Sequence, residues 1–356
     1  IGDKGILVAN ELSASRIKKL ASNLDRLGIL NTVLTQNNGA TMQYFQDQEF
    51  DRILVDAPCS SEGFGRKSSQ FFEKQWYEHK IQDCAKLQRQ LITSGFQMLA
   101  PGGIMVYSTC TTAPEENELV VQHLLNTVGE EAELQTIEIE KIPHTNGIEE
   151  FNGKKISAEI QKKSVRLWPH VYSNYWDSEC FYIVKIKKVK PTQRKPAIKE
   201  FSDGLLKRVP KNKMSEYVTR WRKTYGIPSD LFKGLVLYDK NGEVFISNNG
   251  AFGFAKKNKY QRVGLKMLDK HGNITHEFMR CFGDAATKNI IILSKEQKER
   301  YLTGYDLPLT EAQQKTLIDK NTFNNGVIIK FENFSLGWGK VLNGEKLKNK
   351  FDRDLL

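Results

Sequence analysis

The chain has 356 residues, 39% hydrophobic and 27% charged, with a formal net charge of +11. That length implies two or three domains, and the composition excludes a disordered, collagen-like or coiled-coil chain. The five cysteines lack the paired CxxC spacing of a zinc site, so free thiols, no metal and a reducing cytoplasm are expected.

Along residues 1–190, short apolar runs alternate with amphipathic helices. Residues 6–9 read as a strand, followed at its end by Glu11. Ser13 or Ser15 then caps a helix with Ile17, Leu20, Leu24 and Leu27 on one face, closed by Gly28. Residues 32–35 and 52–56 read as strands, the second ending in Asp56. A long helix is expected over 77–100, stopped by Pro101-Gly102-Gly103. A strand at 104–107 leads into Ser108-Thr109-Cys110-Thr111. Thr112-Ala113-Pro114-Glu115 reads as a capping box for a helix carrying Leu119, Val120, His123 and Leu124. Strands near 134–139 and 181–186 complete this part. Repeated strand–helix units imply an α/β fold with a parallel sheet, whose ligands bind beyond the C-terminal strand ends. Glu11, Asp56 and Cys110 lie there. No GxGxxG follows a strand, so a dinucleotide is not supported. No run of about 18 apolar residues is present to span a membrane, and the first residues do not read as a signal segment.

Charge divides the chain. Residues 1–190 carry 22 Lys and Arg against 24 Asp and Glu, and residues 191–356 carry 31 against 18. A basic half beside a near-neutral one suggests a polyanion-gripping appendage, although solubility alone would give the same composition. Residues 191–200 read as a basic linker. Asn241-Gly242 between apolar runs marks a hairpin. Lys256, Lys257, Lys259, Arg262 and Lys266 interleave with Phe254 and Tyr260, which suits phosphate contacts and base stacking or a solvated strand face. Short strands with glycine turns around Gly326, Gly337 and Gly344 suggest a small β-rich module.

A lone cysteine is most often a small buried hydrophobe, and Cys84, Cys180 and Cys281 read that way. Cys59 and Cys110 differ. Each follows a buried strand, and Cys59 stands behind Asp56 and Pro58. Neighbouring strand ends would bring both thiols to one crevice with a carboxylate. Such a set suits covalent catalysis on a pyrimidine: a thiolate adds to carbon 6, which makes carbon 5 nucleophilic towards a methyl donor.

At these residues the chain resembles the Nop/Sun family of RNA cytosine-carbon-5 methyltransferases, above all its bacterial RsmF-type members. Asp56-Ala-Pro-Cys-Ser-Ser-Glu-Gly with Arg66-Lys67 resembles the DAPCSGEG…RK signature. The run from Ser108-Thr-Cys-Thr to Asn117 resembles STCT…EEN, and residues 8–16 resemble ANE.SASR. The resemblance implies a Rossmann-like, S-adenosylmethionine-dependent methyltransferase sheet over 1–190. An RNA-binding-type domain over 201–293 and a PUA-like domain over 294–356 would follow. It implies Cys110 as nucleophile, Cys59 as the thiol assisting release, and Asp56 as hydrogen-bond partner of the cytosine. Glu11 would hold the cofactor's ribose. Asn38, standing where the family has an acid, would lie at the cofactor with Arg16 and Asp56. Arg66, Lys67, Lys256, Lys257 and Lys340 would meet RNA. The implied substrate is 16S rRNA or the small ribosomal subunit, with the protein acting as a monomer. A ribosome-assembly factor retaining the fold and a DNA cytosine methyltransferase are the alternatives. The family's glycine-rich turn and central first strand should precede Ile1. The chain is therefore expected to be part of a longer protein whose upstream segment completes the sheet.

Overall fold

The structure, a computed structural model, describes residues 5–46, 49–61, 77, 79–169, 180–192, 206–317 and 326–351. Its first elements are β1 (Leu7–Asn10), α1 (Arg16–Leu27), β2 (Thr32–Thr35), β3 (Phe50–Asp56), α2 (Lys80–Met98), β4 (Leu99–Thr109) and α3 (Glu118–Val128). Then come β5 (Ala132–Gln135), β6 (Thr145–Asn146), β7 (Glu150–Phe151), β8 (Lys154–Lys155), α4 (Ala158–Lys163), β9 (Ser164–Leu167) and β10 (Phe181–Lys188). The basic half contains β11 (Lys207–Arg208), α5 (Lys211–Tyr225), β12 (Leu235–Lys240), β13 (Glu243–Asn248), α6 (Asn249–Lys257), β14 (Arg262–Val263), β15 (Leu265–Leu268) and α7 (His276–Phe282). It closes with β16 (Ile290–Ile292), α8 (Lys295–Leu302), β17 (Leu307–Pro308), α9 (Glu311–Lys315), β18 (Val327–Phe331), β19 (Phe334–Leu342) and β20 (Lys346–Asn349). Among the described residues, no helix is long and apolar enough to cross a membrane.

The chain packs as two units, residues 38–199 and residues 1–37 with 200–356. The first is built on a sheet ordered β3-β4-β10-β9-β6, with β5 also paired to β10. Among the described residues, only β3 and β4 run parallel in this sheet; β10 joins antiparallel to β4. Ile92, Phe96, Met105, Tyr107, Val120, Leu124, Tyr182 and Val184 form its buried core. Each large apolar side chain buried there contributes about 1.5–3 kcal/mol. The α2 end is closed by a buried lysine: Lys188 Nζ donates to the carbonyls of Phe96, Gln97 and Leu99, favourable at a helix C-terminus.

Three expectations shift. The long helix ends at Met98 rather than 100, because extended Leu99 already pairs with Phe50, and Pro101-Gly102-Gly103 becomes an irregularity within β4. The helix expected after 112–115 starts at Glu118. Residues 113–117 instead make a turn in which Leu119 N–H reaches the Pro114 carbonyl and Thr111 Oγ1 accepts from Ala113 N–H. The strand expected near 134–139 lies at Ala132–Gln135.

The division at 190 differs from the packing. Parallel β1 and β2 extend into a three-stranded sheet with β14, more than 220 residues on. Buried Val33 and Val263 face each other across that pairing, and Arg262 is ion-paired to Asp25 of α1 at 2.8 Å. The same unit holds a sheet ordered β11-β12-β13-β15, packed on Trp221, Tyr225, Phe232, Phe278 and Phe282. The Asn241-Gly242 turn joins β12 to β13 with φ of 57° and 84°, the doubly left-handed turn that Asn-Gly favours. A third sheet, ordered β16-β18-β19-β20-β17, forms the expected β-rich module.

Candidate active site

Parallel pairing sets Asp56 opposite Ser108, so the loops leaving β3 and β4 emerge at the same C-terminal edge. Across that edge Cys59 Sγ stands 2.9 Å from Cys110 Sγ, and both thiols are half-buried and free. Ser61 Oγ lies 3.6 Å from each sulfur. Asp56, exposed at the end of β3, accepts from Ser108 Oγ at 3.3 Å. Cys59 and Cys110 are thus brought together, with Asp56 at the end of the strand that leads to Cys59.

What holds the loops was not read from the sequence. Buried Glu116 accepts at one oxygen from Ser60 N–H at 2.9 Å and from Gln88 Nε2 at 2.8 Å, while Gln88 also donates to the Pro58 carbonyl. Cys59 is therefore flanked by two braced residues. Asn117 does the same for Cys110: it accepts from Thr109 Oγ1 and donates to the Thr111 carbonyl at 3.0 Å. Ser60 and Thr111 hydroxyls meet at 3.1 Å and tie the two loops to each other. Glu118 accepts both arms of buried Arg166, whose third nitrogen donates to the Thr112 carbonyl. The run from Glu116 to Glu118 is a frame, and the signal for it was the acid-amide-acid cluster itself, too polar for a helix start facing the core. Cys180, expected in the core, is buried, and its thiol donates to the Cys110 carbonyl at 3.2 Å.

The electrostatics follow from the thiol pair. A thiolate on one sulfur receives a hydrogen bond from the thiol on the other. That bond, helped by Ser61, holds the Cys59 pKa down to about 7, against the opposing effect of burial. The second proton stays on Cys110 well above the ordinary thiol range, because its loss would forfeit that bond and set two charges together. Burial pushes Cys84 up to about 11. The site should therefore contain one reactive thiolate at neutral pH. Iodoacetamide alkylation followed across pH, with peptide mass spectrometry, should show a half-maximum near 7 for one thiol of the pair, rising with pH. Cys84 should stay inert. A half-maximum near the free-thiol value of about 8.5 for both would contradict the shared-proton arrangement.

The cofactor candidates lie apart in the packing units. Glu11 and Arg16 belong to the unit containing residues 1–37 and pair with each other at 3.1 Å; the other Glu11 oxygen accepts from Ser13 N–H. Each carboxylate oxygen keeps a lone pair, so Glu11 can still accept ribose hydroxyls. Asn38 belongs to the other unit and caps a short 3-10 turn, Gly39–Tyr44, through its side-chain oxygen. Asn10, unremarked in the sequence, holds the β2 exit by accepting from Thr35 Oγ1 and Asn37 N–H.

Arg66 and Lys67 lie outside the described residues. Lys256 and Lys257 are exposed at the end of α6, with Lys256 over the Phe252 ring, and Lys259 is exposed just beyond. The stacking role expected of Phe254 and Tyr260 does not hold, because both are buried in the core. Arg262 and Lys266 are paired to Asp25 and Glu243. Lys340 is half-buried on β19, opposite Lys348.

Comparison with known proteins adds an independent line. The family model of the 16S rRNA methyltransferase RsmB/F matches residues 1–187, and that of the methyltransferase RsmF PUA domain matches residues 288–356. The ribosomal RNA small subunit methyltransferase F of Psychromonas ingrahamii is 30% identical, the alignment covering 100% of this chain and 70% of the relative. Its counterpart in Shewanella woodyi is 32% identical, over 99% and 69%. Among solved structures, a methyltransferase homologue from Pyrococcus horikoshii aligns at 33% identity with 52% of this chain and 54% of its own, at a TM-score of 0.42. Matched over more than half its length by one model and along nearly all of it by these relatives, the chain belongs to the 16S rRNA methyltransferase RsmB/F family and carries an RsmF-type PUA domain.

Proposed function

We propose that the protein methylates carbon 5 of a cytosine in small-subunit ribosomal RNA, using S-adenosylmethionine and a covalent intermediate on Cys110. The observation that carries this reading is the pair of thiols 2.9 Å apart at the ends of two parallel strands. S-adenosylmethionine supplies an electrophilic methyl group. Glu11, with Arg16 beside it, is assigned to the ribose hydroxyls, and Asn38 to the cofactor's other end.

The residues divide the chemistry. Cys110 forms a bond to carbon 6 and gives its proton to Cys59, which passes it to solvent; the carbon 5–carbon 6 electron pair moves so that carbon 5 can take the methyl. Asp56 accepts a hydrogen bond from the exocyclic amine of the ring and so orients the base over Cys110. Cys59, again a thiolate, accepts the proton from carbon 5. The electron pair left behind re-forms the ring double bond and expels the Cys110 thiolate. A lowered thiol pKa suits that proton-accepting step. Incubation with 16S rRNA, bare or in the small subunit, followed by bisulfite sequencing tests the reading. One or a few protected cytosines are expected; methyl label recovered elsewhere than carbon 5 would overturn it.

The exposed lysines Lys256, Lys257 and Lys259 are assigned to RNA phosphates. Removing residues 201–356 would not isolate their contribution, since β14 completes the β1–β2 sheet. The triple Lys→Gln variant should instead lower the log–log salt slope of RNA binding by about 2, at roughly 0.7 per single-strand phosphate contact. An unchanged slope would show that these charges meet no phosphate.

A further inference from the structure

We infer that the Ser61 hydroxyl is a positioning residue that serves whichever of the two thiols carries the negative charge. The inference rests on the carbon-5 reading for its meaning, but its geometry stands alone. The signature resembled by residues 56–63 has glycine where Ser61 stands. Ser61 nevertheless takes the conformation for which glycine is suited, with φ of 56°. Left-handed backbone is unfavourable for a residue with a Cβ and persists only where surroundings enforce it. Here the side chain has a use: its oxygen lies 3.6 Å from Cys59 Sγ and 3.6 Å from Cys110 Sγ, and 3.4 Å from the Cys59 carbonyl.

Equal reach to both sulfurs matters because the charge changes place during the reaction. With the charge on Cys59, that sulfur accepts from the Cys110 thiol and from Ser61 O–H. When it moves to Cys110, the hydroxyl turns and donates there. A single hydroxyl proton can serve one sulfur at a time, and the one thiol proton of the other sulfur goes to the same charged partner. Hydrogen bonds to an ionised group are about twice as strong as neutral ones, so the hydroxyl favours the charged pair over the neutral one. Other titratable groups near the pair are Asp56 on β3, Cys84 on α2, Tyr107 on β4, Glu116 on the turn and Cys180 at the start of β10. None of these contributes a hydroxyl donor bridging the two sulfurs. The consequence is a site in which hydrogen bonding to the pair favours a thiolate at neutral pH.

Two substitutions separate the hydroxyl from the backbone. Ser61→Gly removes the hydroxyl and relaxes the left-handed turn; Ser61→Ala removes the hydroxyl and keeps the Cβ there. In both, the half-maximal pH of iodoacetamide alkylation at the pair should rise by about one unit, a roughly tenfold loss of thiolate at pH 6. The pH–rate profile of methyl transfer should move by the same amount. Ser61→Gly should melt no lower than the parent protein, which removes misfolding as the cause. Unchanged alkylation midpoints in both variants would overturn the inference. A shift in Ser61→Ala alone would also overturn it, because backbone conformation would then be the whole effect. Alkylation needs no RNA, so a midpoint shift in a protein that transfers no methyl to cytosine would sink the carbon-5 reading and leave this one standing.

Discussion

Cys110→Ala should abolish methyl transfer, with a loss on the order of 10⁴-fold or more, while Cys59→Ala should accumulate RNA bound covalently to the protein. The two thiols are close enough to exchange a proton, yet only one can bond to carbon 6. Without Cys110 no bond forms. Without Cys59 the Cys110 proton leaves directly to solvent, more slowly; the bond still forms and carbon 5 is methylated, but the proton on carbon 5 has no acceptor and Cys110 stays attached. Denaturing gel electrophoresis of protein with labelled RNA separates the outcomes: free RNA with Cys110→Ala, a retarded band with Cys59→Ala. A retarded band in Cys110→Ala with normal turnover in Cys59→Ala would reverse the two roles.

The largest effect on stability is expected at a residue that never meets RNA in this account. Arg166 and Glu118 are almost fully buried and joined by two hydrogen bonds, and the guanidinium also lies 5.2 Å from the centre of the Trp168 ring. Arg166→Ala would leave a buried carboxylate without its cation, at a cost of about 3–5 kcal/mol. For a unit of this size the melting temperature should fall on the order of 10 °C. The pair Arg166→Met with Glu118→Leu should recover much of that loss, since an apolar pair leaves no charge stranded. A single-variant loss below about 1 kcal/mol would mean that water reaches Glu118 when the arginine is removed. Arg166 also donates to the Thr112 carbonyl, two residues beyond Cys110. The alkylation midpoint of the thiol pair should therefore drift upward in Arg166→Ala as the loop loosens.

Local chemistry was the readable part of the sequence. Gly28 closes α1 at φ 66°, and Asn241-Gly242 makes its turn, because both depend on residues a few positions apart. The pairing of Cys59 with Cys110, with Asp56 ending the strand before Cys59, was readable for a related reason: two strands ending in chemistry-bearing residues become neighbours once the sheet forms. Long-range demands were hidden. Nothing local in Arg262-Val263 marks a two-residue strand that completes the sheet of residues 7–35. Nothing near Cys180 shows that its thiol bonds to a carbonyl 70 positions earlier. The capping reading of 112–115 failed through competition. Asn117 and Glu116 satisfy more buried groups by bracing the cysteine loops than a helix start at 112 would have satisfied, so the helix yields its first turn. Phe254 and Tyr260 failed as stacking platforms because interleaving with lysine looks the same whether an aromatic faces the solvent or the core.

The central claim is that a Cys110 adduct activates carbon 5 of a cytosine and that the proton on that carbon is lost. The direct measurement uses ribosomal RNA labelled with tritium at carbon 5 of its cytosines, with unlabelled S-adenosylmethionine. Tritium should appear in water in step with methyl groups entering RNA, one for one, and release should vanish in Cys110→Ala. Methyl groups entering RNA without release of tritium would contradict the account.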